Sequence, residues 1–365
     1  MSRCARCEAL PEPLPESGTL FIAPPLAHTG ATVRSALERA GFDVTEAAPN
    51  VVSVAVRAGS LATVADALAA SLGRAELRDA RSLLLPEAAS LSIADLARMQ
   101  PLVALVGRAR GDWLREIIRG DRLVTHFQPI VRADDPSEVF AHEGLLRGIG
   151  PDGGVISPGV LYDAARAADL IFPLDRAARL RAIRAAVEAR LPGLIFINFN
   201  PTSVYDPAFC LRTTVAAIDD AGIAPGRIVF EVVESDEPHP DLPRIVRYYR
   251  DAGFRVALDD LGAGFGSLNL LTELRPDFVK LDMRLVRDVD RDPYKAGILA
   301  KLLEMARDLG VGTIAEGIET EAESAWVHDH GVDYLQGYLI ARPAFPPTAP
   351  GPAAPRRRRA ALARA

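Results

Sequence analysis

From Asp121 to about Pro343, short apolar runs of strand length alternate with longer stretches whose apolar residues recur three and four apart. The strand-like runs are "LVTHFQPIV", "VFAHEGLLRG", "LIFINFN", "IVFEVVE", "RVALDDLG", "FVKLD", "GTIAEGIE" and "YLQGYLI". Between most of them lie stretches of helical spacing such as "PLDRAARLRAIRAAVEARL" and "YKAGILAKLLEMARDLG". Eight strands with intervening helices over about 220 residues match the count and length of a (β/α)8 TIM-like barrel of the α/β class. Strand number alone leaves an open doubly wound sheet as the alternative.

Nearly every one of these runs carries a polar residue at or near its carboxyl end: Glu143, Asn198, Glu231, Asp259 with Asp260, Lys280 with Asp282, Glu316 and Gln336. In a barrel those ends converge on one face, where such folds place their chemistry. Five or six carboxylates would then share a small volume with one lysine, and the array cannot stay ionised without cations. Oxygen ligands of this type select hard divalent ions such as magnesium, manganese or calcium. Taken singly, each acid is more often a helix cap or loop residue than a ligand. Asn198 alone would close a turn before Pro201, and Lys280 alone would pair with Asp282. The glycine-rich "GAGFGSL" is by itself a weak sign of a phosphate cradle. The force lies in the set.

The rest of the chain divides by composition. Residues 1–18, rich in proline and glutamate and opening with a CxxC, suit a mobile segment. Residues 19–90 read as a small α+β domain: "TLFIAPP" as a strand, "GATVRSALERAG" as a helix, "FDVTEAAPNVVSVAV" as two strands and "SLATVADALAASLG" as a helix. Residues 91–120 read as a helical linker that Pro101 breaks or kinks. The barrel takes 121–346, and a proline, alanine and arginine tail over 347–365 reads as disordered. The formal net charge of -6 provides no whole-chain attraction to nucleic acid or anionic lipid. Only Arg356 to Arg359 form a basic cluster, a solvated end or a weak, salt-sensitive contact for anionic lipid or nucleic acid. No run is apolar enough to cross a bilayer, the amino terminus lacks a signal-peptide core, and three cysteines make no disulfide framework, so a cytoplasmic setting is expected. Cys4 and Cys7, with His28 downstream, make half a zinc site that two chains would have to share; free thiols are the plainer reading.

The ordered motifs "HFQPIV", "HEGLLRG", "INFNP", "EVVE", "LDDLGAGFGSL", "FVKLD", "AEGIE" and "LQGYLIARP" resemble those of the EAL-domain cyclic-di-GMP phosphodiesterases across residues 121–346. The resemblance implies an enzyme of bacterial signalling that opens cyclic di-GMP to linear pGpG with two magnesium or manganese ions. It implies that Glu143, Asn198, Glu231 and Asp259 hold the first metal, that Asp259 bridges to the second, and that Asp260 and Glu316 complete it. Lys280 resembles the catalytic lysine that orients or deprotonates the attacking water, its pKa lowered among cations. Arg147 and Gln128 resemble contacts to a phosphate and to the nucleotide. Glu234 resembles the anchor of the loop after the paired aspartates, and Asp282, Glu319 and Gln336 resemble supporting positions, with Gln336 also on the substrate side. A homodimer is implied as well. The departures are Gly144 where the motif has alanine, and Leu261, Ala263, Phe265 and Gly266 in the loop, which lower the expected turnover without removing a ligand. Relatives that only bind the nucleotide or a protein partner generally lack a carboxylate or the lysine, and this chain keeps them all. No GGDEF-type signature is present. For the amino-terminal domain, an assembly role and a sensory or partner-binding role stay open.

Overall fold

The structure is a computed structural model that describes residues 10–86, 92–201, 211–233, 241–262 and 267–350. Two units are present, one of Met1–Leu123 with Gly148–Leu174, the other of Val124–Arg147 with Asp175–Ala365.

In the first unit, strands β1 (Gly18–Ala23), β2 (Val44–Ala48), β3 (Val51–Val56), β4 (Arg81–Leu85) and β5 (Gln100–Pro101) form a sheet in the order β2-β3-β1-β4-β5. All its pairings are antiparallel. Leu20 and Ile22, alternate residues of β1, pack with Val33 and Leu37 of the helix Ala27–Arg39 and with Val64 and Leu68 of the helix Leu61–Ser71. The strands and helices expected between residues 19 and 71 are all present. β4 was not legible, because "RSLLL" is too short to show alternation.

The helical linker is interrupted at Pro101, as expected from its ring. A short helix (Ile93–Leu96) gives way to β5, followed by the helices Leu102–Arg110 and Asp112–Arg119. Leu102, Leu105 and Val106 are buried in the same core as Leu20. Helix Leu102–Arg110 lies against helix Pro158–Ala168 at backbone distance. A Cβ on Gly107 would fall 1.7 Å from the Ala167 carbonyl oxygen, and one on Gly111 would fall 2.5 Å from Ala168 Cβ.

The barrel consists of β6 (Leu123–Arg132), β7 (Val139–Ile149), the short hairpin strand β8 (Val155–Ile156), β9 (Leu194–Phe199), β10 (Ile228–Val233), β11 (Arg255–Leu261), β12 (Phe278–Leu281), β13 (Gly312–Ala315) and β14 (Tyr334–Leu335). The order β6-β14-β13-β12-β11-β10-β9-β7-β8, together with a β6–β7 pairing, closes the sheet on itself. Closure removes the open-sheet alternative. The simple (β/α)8 repeat needs one correction: β6 runs antiparallel to β14, and no helix separates β6 from β7. Arg132 N donates to Glu138 O at one end and Ile149 N to Arg122 O at the other, the pattern of a hairpin. Only residues 133–138 connect the two strands, too few for the crossover that parallel neighbours need.

One ring of apolar side chains fills the barrel: Ile130, Ala141, Leu194, Phe196, Val229, Ala257, Phe278 and Ile314, with Tyr334 packed against it. Among the described residues, no helix is long and apolar enough to cross a membrane.

Candidate active site

Strand periodicity carries the barrel core directly into the polar ring above it. Residues i and i+2 of a strand face the same way, so two positions beyond Ala141, Phe196, Val229, Ala257, Phe278, Ile314 and Tyr334 stand Glu143, Asn198, Glu231, Asp259, Lys280, Glu316 and Gln336. On β6, which runs the other way, the equivalent position precedes Ile130 and is Gln128. Each polar residue is therefore placed by the apolar one beneath it.

Adjacent Asp259 and Asp260 should point to opposite faces of β11, yet both join the site. The β11–β12 register shifts between Leu258 and Leu261, and Asp260 takes a left-handed φ of 58°. This irregularity suspends the alternation. Oxygens of Asp259, Asp260 and Glu316 come within 4.8 Å of one another, a group able to hold a metal ion.

Lys280 stands at the centre, 1 % exposed. Its Nζ lies 2.7 Å from Glu231 Oε1, 2.7 Å from Glu316 Oε1, 3.2 Å from Asp259 Oδ1 and 3.3 Å from Glu143 Oε2. Asn198 Nδ2 donates to Glu143 Oε1 at 3.0 Å and to Glu231 Oε2 at 2.9 Å. Gln336 Nε2 donates to Glu143 Oε2 at 2.6 Å and to Gln128 Oε1 at 3.2 Å, while Gln128 Nε2 donates to the Ala341 carbonyl. The four partners of Lys280 do not include Asp282, which instead caps the short helix Met283–Val286 by accepting from Arg284 N.

Burial with too few countercharges sets the protonation of this ring. Burial, and then the charges of Glu143 and Asp259, push Glu231 well above the ordinary carboxylate range. Burial raises Asp259 too, against the pull of Lys280. Glu316 is raised to about 8, chiefly by burial, with Lys280 opposing. Asp260 is raised to about 6 by burial and by Asp259 and Asp282. Glu143 alone is held low: burial acts upward, but Lys280, Gln336 and Asn198 together outweigh it. Without ions in the ring Lys280 is shifted upward, whereas the depression is expected among bound cations. Burial acts downward, yet four surrounding carboxylates hold the ammonium well above its ordinary pKa.

These residues fit a hard divalent ion. The donors are carboxylate oxygens that bind excess protons when nothing else neutralises them, and Gln336 Oε1 is buried with no hydrogen-bond partner among the described residues. Among the described residues the candidate set is Glu143, Asn198, Glu231, Asp259, Asp260 and Glu316, gathered around Lys280.

Other expected positions fall less centrally. Arg147 Nη1 donates to its own neighbour's carbonyl at Leu146, and burial lowers its pKa. Glu319 is a partly exposed partner of Arg287, and its backbone N–H donates to Glu323. Gly144 points away from the ring, where an alanine methyl would meet Thr125 Cγ2 at 3.3 Å and Phe127 at 3.4 Å, so glycine relieves a tight wall. Leu261 is buried at the end of β11, while Glu234, Ala263, Phe265, Gly266, Cys4, Cys7 and Arg356 to Arg359 lie outside the described residues.

Sequence reasoning missed three groups near the ring. The run "YLQGYLI" reads as a strand, but β14 ends at Leu335. A Cβ on Gly337 would sit 2.1 Å from the Ile318 carbonyl oxygen, so the chain lies flat on its neighbour there and turns away. That turn leaves Tyr338 half exposed with the Arg342 guanidinium 4.1 Å from its ring centre. His126, two residues before Gln128, has its pKa lowered by burial and by Arg147. The third is a buried pair, Asp175 with Arg179: Asp175 Oδ1 accepts from Asn200 N at 3.1 Å, two residues beyond Asn198. Alternation along β6 would have found His126, two residues before Gln128, whereas the turn at Gly337 hides Tyr338 from it.

Comparison with known proteins follows the same residues. The family model for the EAL domain matches residues 111–343. The chain is 31% identical over 246 residues to the probable cyclic di-GMP phosphodiesterase PdeG of Escherichia coli strain K12, covering 63% of this chain and 46% of that protein. It is 31% identical over 242 residues to the cyclic di-GMP phosphodiesterase NbdA of Pseudomonas aeruginosa, covering 63% of this chain and 30% of that one. The chain thus spans less than half the length of these relatives. The solved structure of a standalone versatile EAL protein from Vibrio cholerae O395, in its c-di-GMP-bound form, matches with 33% identity and a TM-score of 0.57 over 63% of this chain and 96% of that one.

Proposed function

This chain belongs to the EAL domain family, and we propose that its barrel hydrolyses cyclic di-GMP to linear pGpG with two magnesium or manganese ions. One observation carries the reading: all six candidate ligands survive and converge around a buried lysine. The names of the relatives and the nucleotide in the Vibrio structure support the substrate.

On this reading Glu143, Asn198, Glu231 and Asp259 hold one ion, and Asp259, Asp260 and Glu316 the other. When bound, the ions supply a nucleophile at neutral pH and charge stabilisation for in-line attack at phosphorus. Lys280 donates hydrogen bonds that orient the attacking water and steady negative charge on the phosphoryl oxygens. Arg147 offers a guanidinium to a phosphate, and Tyr338 with Arg342 offers an aromatic face and a cation to the nucleotide. Gln336 donates to Glu143 and to Gln128, and Gln128 donates to the Ala341 carbonyl, so the pair acts mainly by holding the Glu143 carboxylate. Glu234, Asp282 and Glu319 support the surrounding loops. A homodimer, which the resemblance implies, and a cytoplasmic setting, which the composition supports, complete the reading.

The test is incubation of the purified chain with cyclic di-GMP and magnesium or manganese, with product followed by chromatography. Appearance of pGpG that a chelator stops is expected. Tight nucleotide binding without product in either ion would overturn the enzymatic reading and leave an effector.

The carboxylate shifts also predict a pH-dependent response to metal. Asp260, raised from 3.8 to about 6, and Glu316, raised from 4.5 to about 8, retain protons in the folded state that the unfolded chain has already released. Their contribution to the stability of the metal-free protein therefore falls as pH rises from about 4 to about 8. Magnesium or manganese should raise Tm more at pH 8 than at pH 5 in differential scanning fluorimetry. A Tm increment independent of pH would count against these carboxylates as the ligands.

A further inference from the structure

The amino-terminal unit carries a groove that the barrel chemistry does not use. Where Gly107 and Gly111 bring helix Leu102–Arg110 down onto helix Pro158–Ala168, the helices meet almost backbone to backbone and leave a cleft of about 860 Å³ beside the crossing. Its lining is largely apolar, with Leu72, Leu77 and Val106 buried, Val103 42 % exposed, and Trp113 among the lining residues.

The rim has one dominant sign. Arg74, Arg78 and Arg110 line the cleft, against a single acid, Asp163. Asp163 is already engaged by Arg166 at 2.6 Å. Arg110 and Arg78 pair with Asp66 and Asp79 only at exposed sites, where such pairs are weak and exchangeable. Arg74 has no acidic partner among the described residues, and it opens the helix Arg74–Asp79. An apolar, preformed concavity of this size with a few convergent polar groups has the character of a small-molecule site. Apolar walls ask for a hydrocarbon body, and guanidinium groups at the rim ask for a carboxylate head.

We propose that this groove binds a small amphipathic anion, an organic carboxylate with an aliphatic or aromatic body. The site is independent of the reading given for the barrel. Trp113 reports on it: the chain has two tryptophans, and Trp326→Phe leaves Trp113 as the sole indole. The full chain carrying that change is titrated with sodium decanoate, below its micelle-forming concentration, and Trp113 emission is followed. A saturable shift is expected, weakened at least about tenfold by Arg74→Ala with Arg110→Ala and abolished by Val103→Asp, all at exposed positions that leave the core intact. Decylammonium, with the same tail and the opposite charge, should give no saturable response. No saturation with decanoate, equal binding of decylammonium, or binding unchanged by loss of both arginines would each overturn the proposal. So would capture of an acidic amphipathic peptide by a chain that ignores decanoate.

Discussion

Lys280→Ala is expected to lower kcat for cyclic di-GMP by on the order of 10³-fold while KM changes by less than about threefold, because its proposed work is on the water and the developing charge. The same substitution has a second signature that a purely catalytic group would lack. Lys280 is the ammonium facing Glu143, Glu231, Asp259 and Glu316 in a buried ring. Its removal leaves those carboxylates facing one another, and losing one partner of a buried ion pair costs about 3–5 kcal/mol when nothing relaxes. Proton uptake by Glu231, Asp259 and Glu316 relieves part of that cost at low pH, so the metal-free variant should lose most Tm above pH 7. Divalent ions should restore much of the Tm and none of the turnover. Recovered turnover in saturating metal would show that Lys280 serves the ring's charge balance alone.

The barrel was legible because its two periods are cleanly separated in the sequence, and the site was legible because the same period of two that buries Val229 presents Glu231. What the alternation could not show was each place where the backbone leaves it. Asp260 reaches the ring only through a register shift and a left-handed φ, and neither leaves a mark in the residue types. The β6–β7 hairpin was visible in principle, since residues 133–138 are too few for a crossover, but eight regular strands invite a regular repeat. The lowered Lys280 pKa belongs to a site filled with cations; in the metal-free ring the protein's own neighbours are anions and raise it, so the two directions describe different states of the site. β4 and β5 are too short for pattern, and Leu102, Leu105 and Val106 look like any amphipathic helix until the sheet they cover is known.

Asp259→Asn should separate function from stability by moving them in opposite directions. Asn keeps the shape of the side chain and an oxygen that can accept from Asp260 N, as Asp259 Oδ1 does at 3.1 Å. Lys280 keeps Glu143, Glu231 and Glu316 as partners. What disappears is one buried negative charge, the one that on the proposed reading touches both ions. Turnover should fall by at least about 10³-fold, since neither the nucleophile nor the phosphoryl charge keeps its full support. The metal-free protein should become more stable at pH 8, because burial raises the Asp259 pKa and ionising it there opposes folding. The increment in Tm from magnesium or manganese should shrink at the same time. Glu319→Gln is the contrast: it loosens a partly exposed pair with Arg287, so turnover should stay within about threefold. If Asp259→Asn instead lowered the metal-free Tm at pH 8 and left the metal increment intact, Asp259 would be a structural acid held by Lys280, and the shared position between the two ions would have to pass to another residue of the ring.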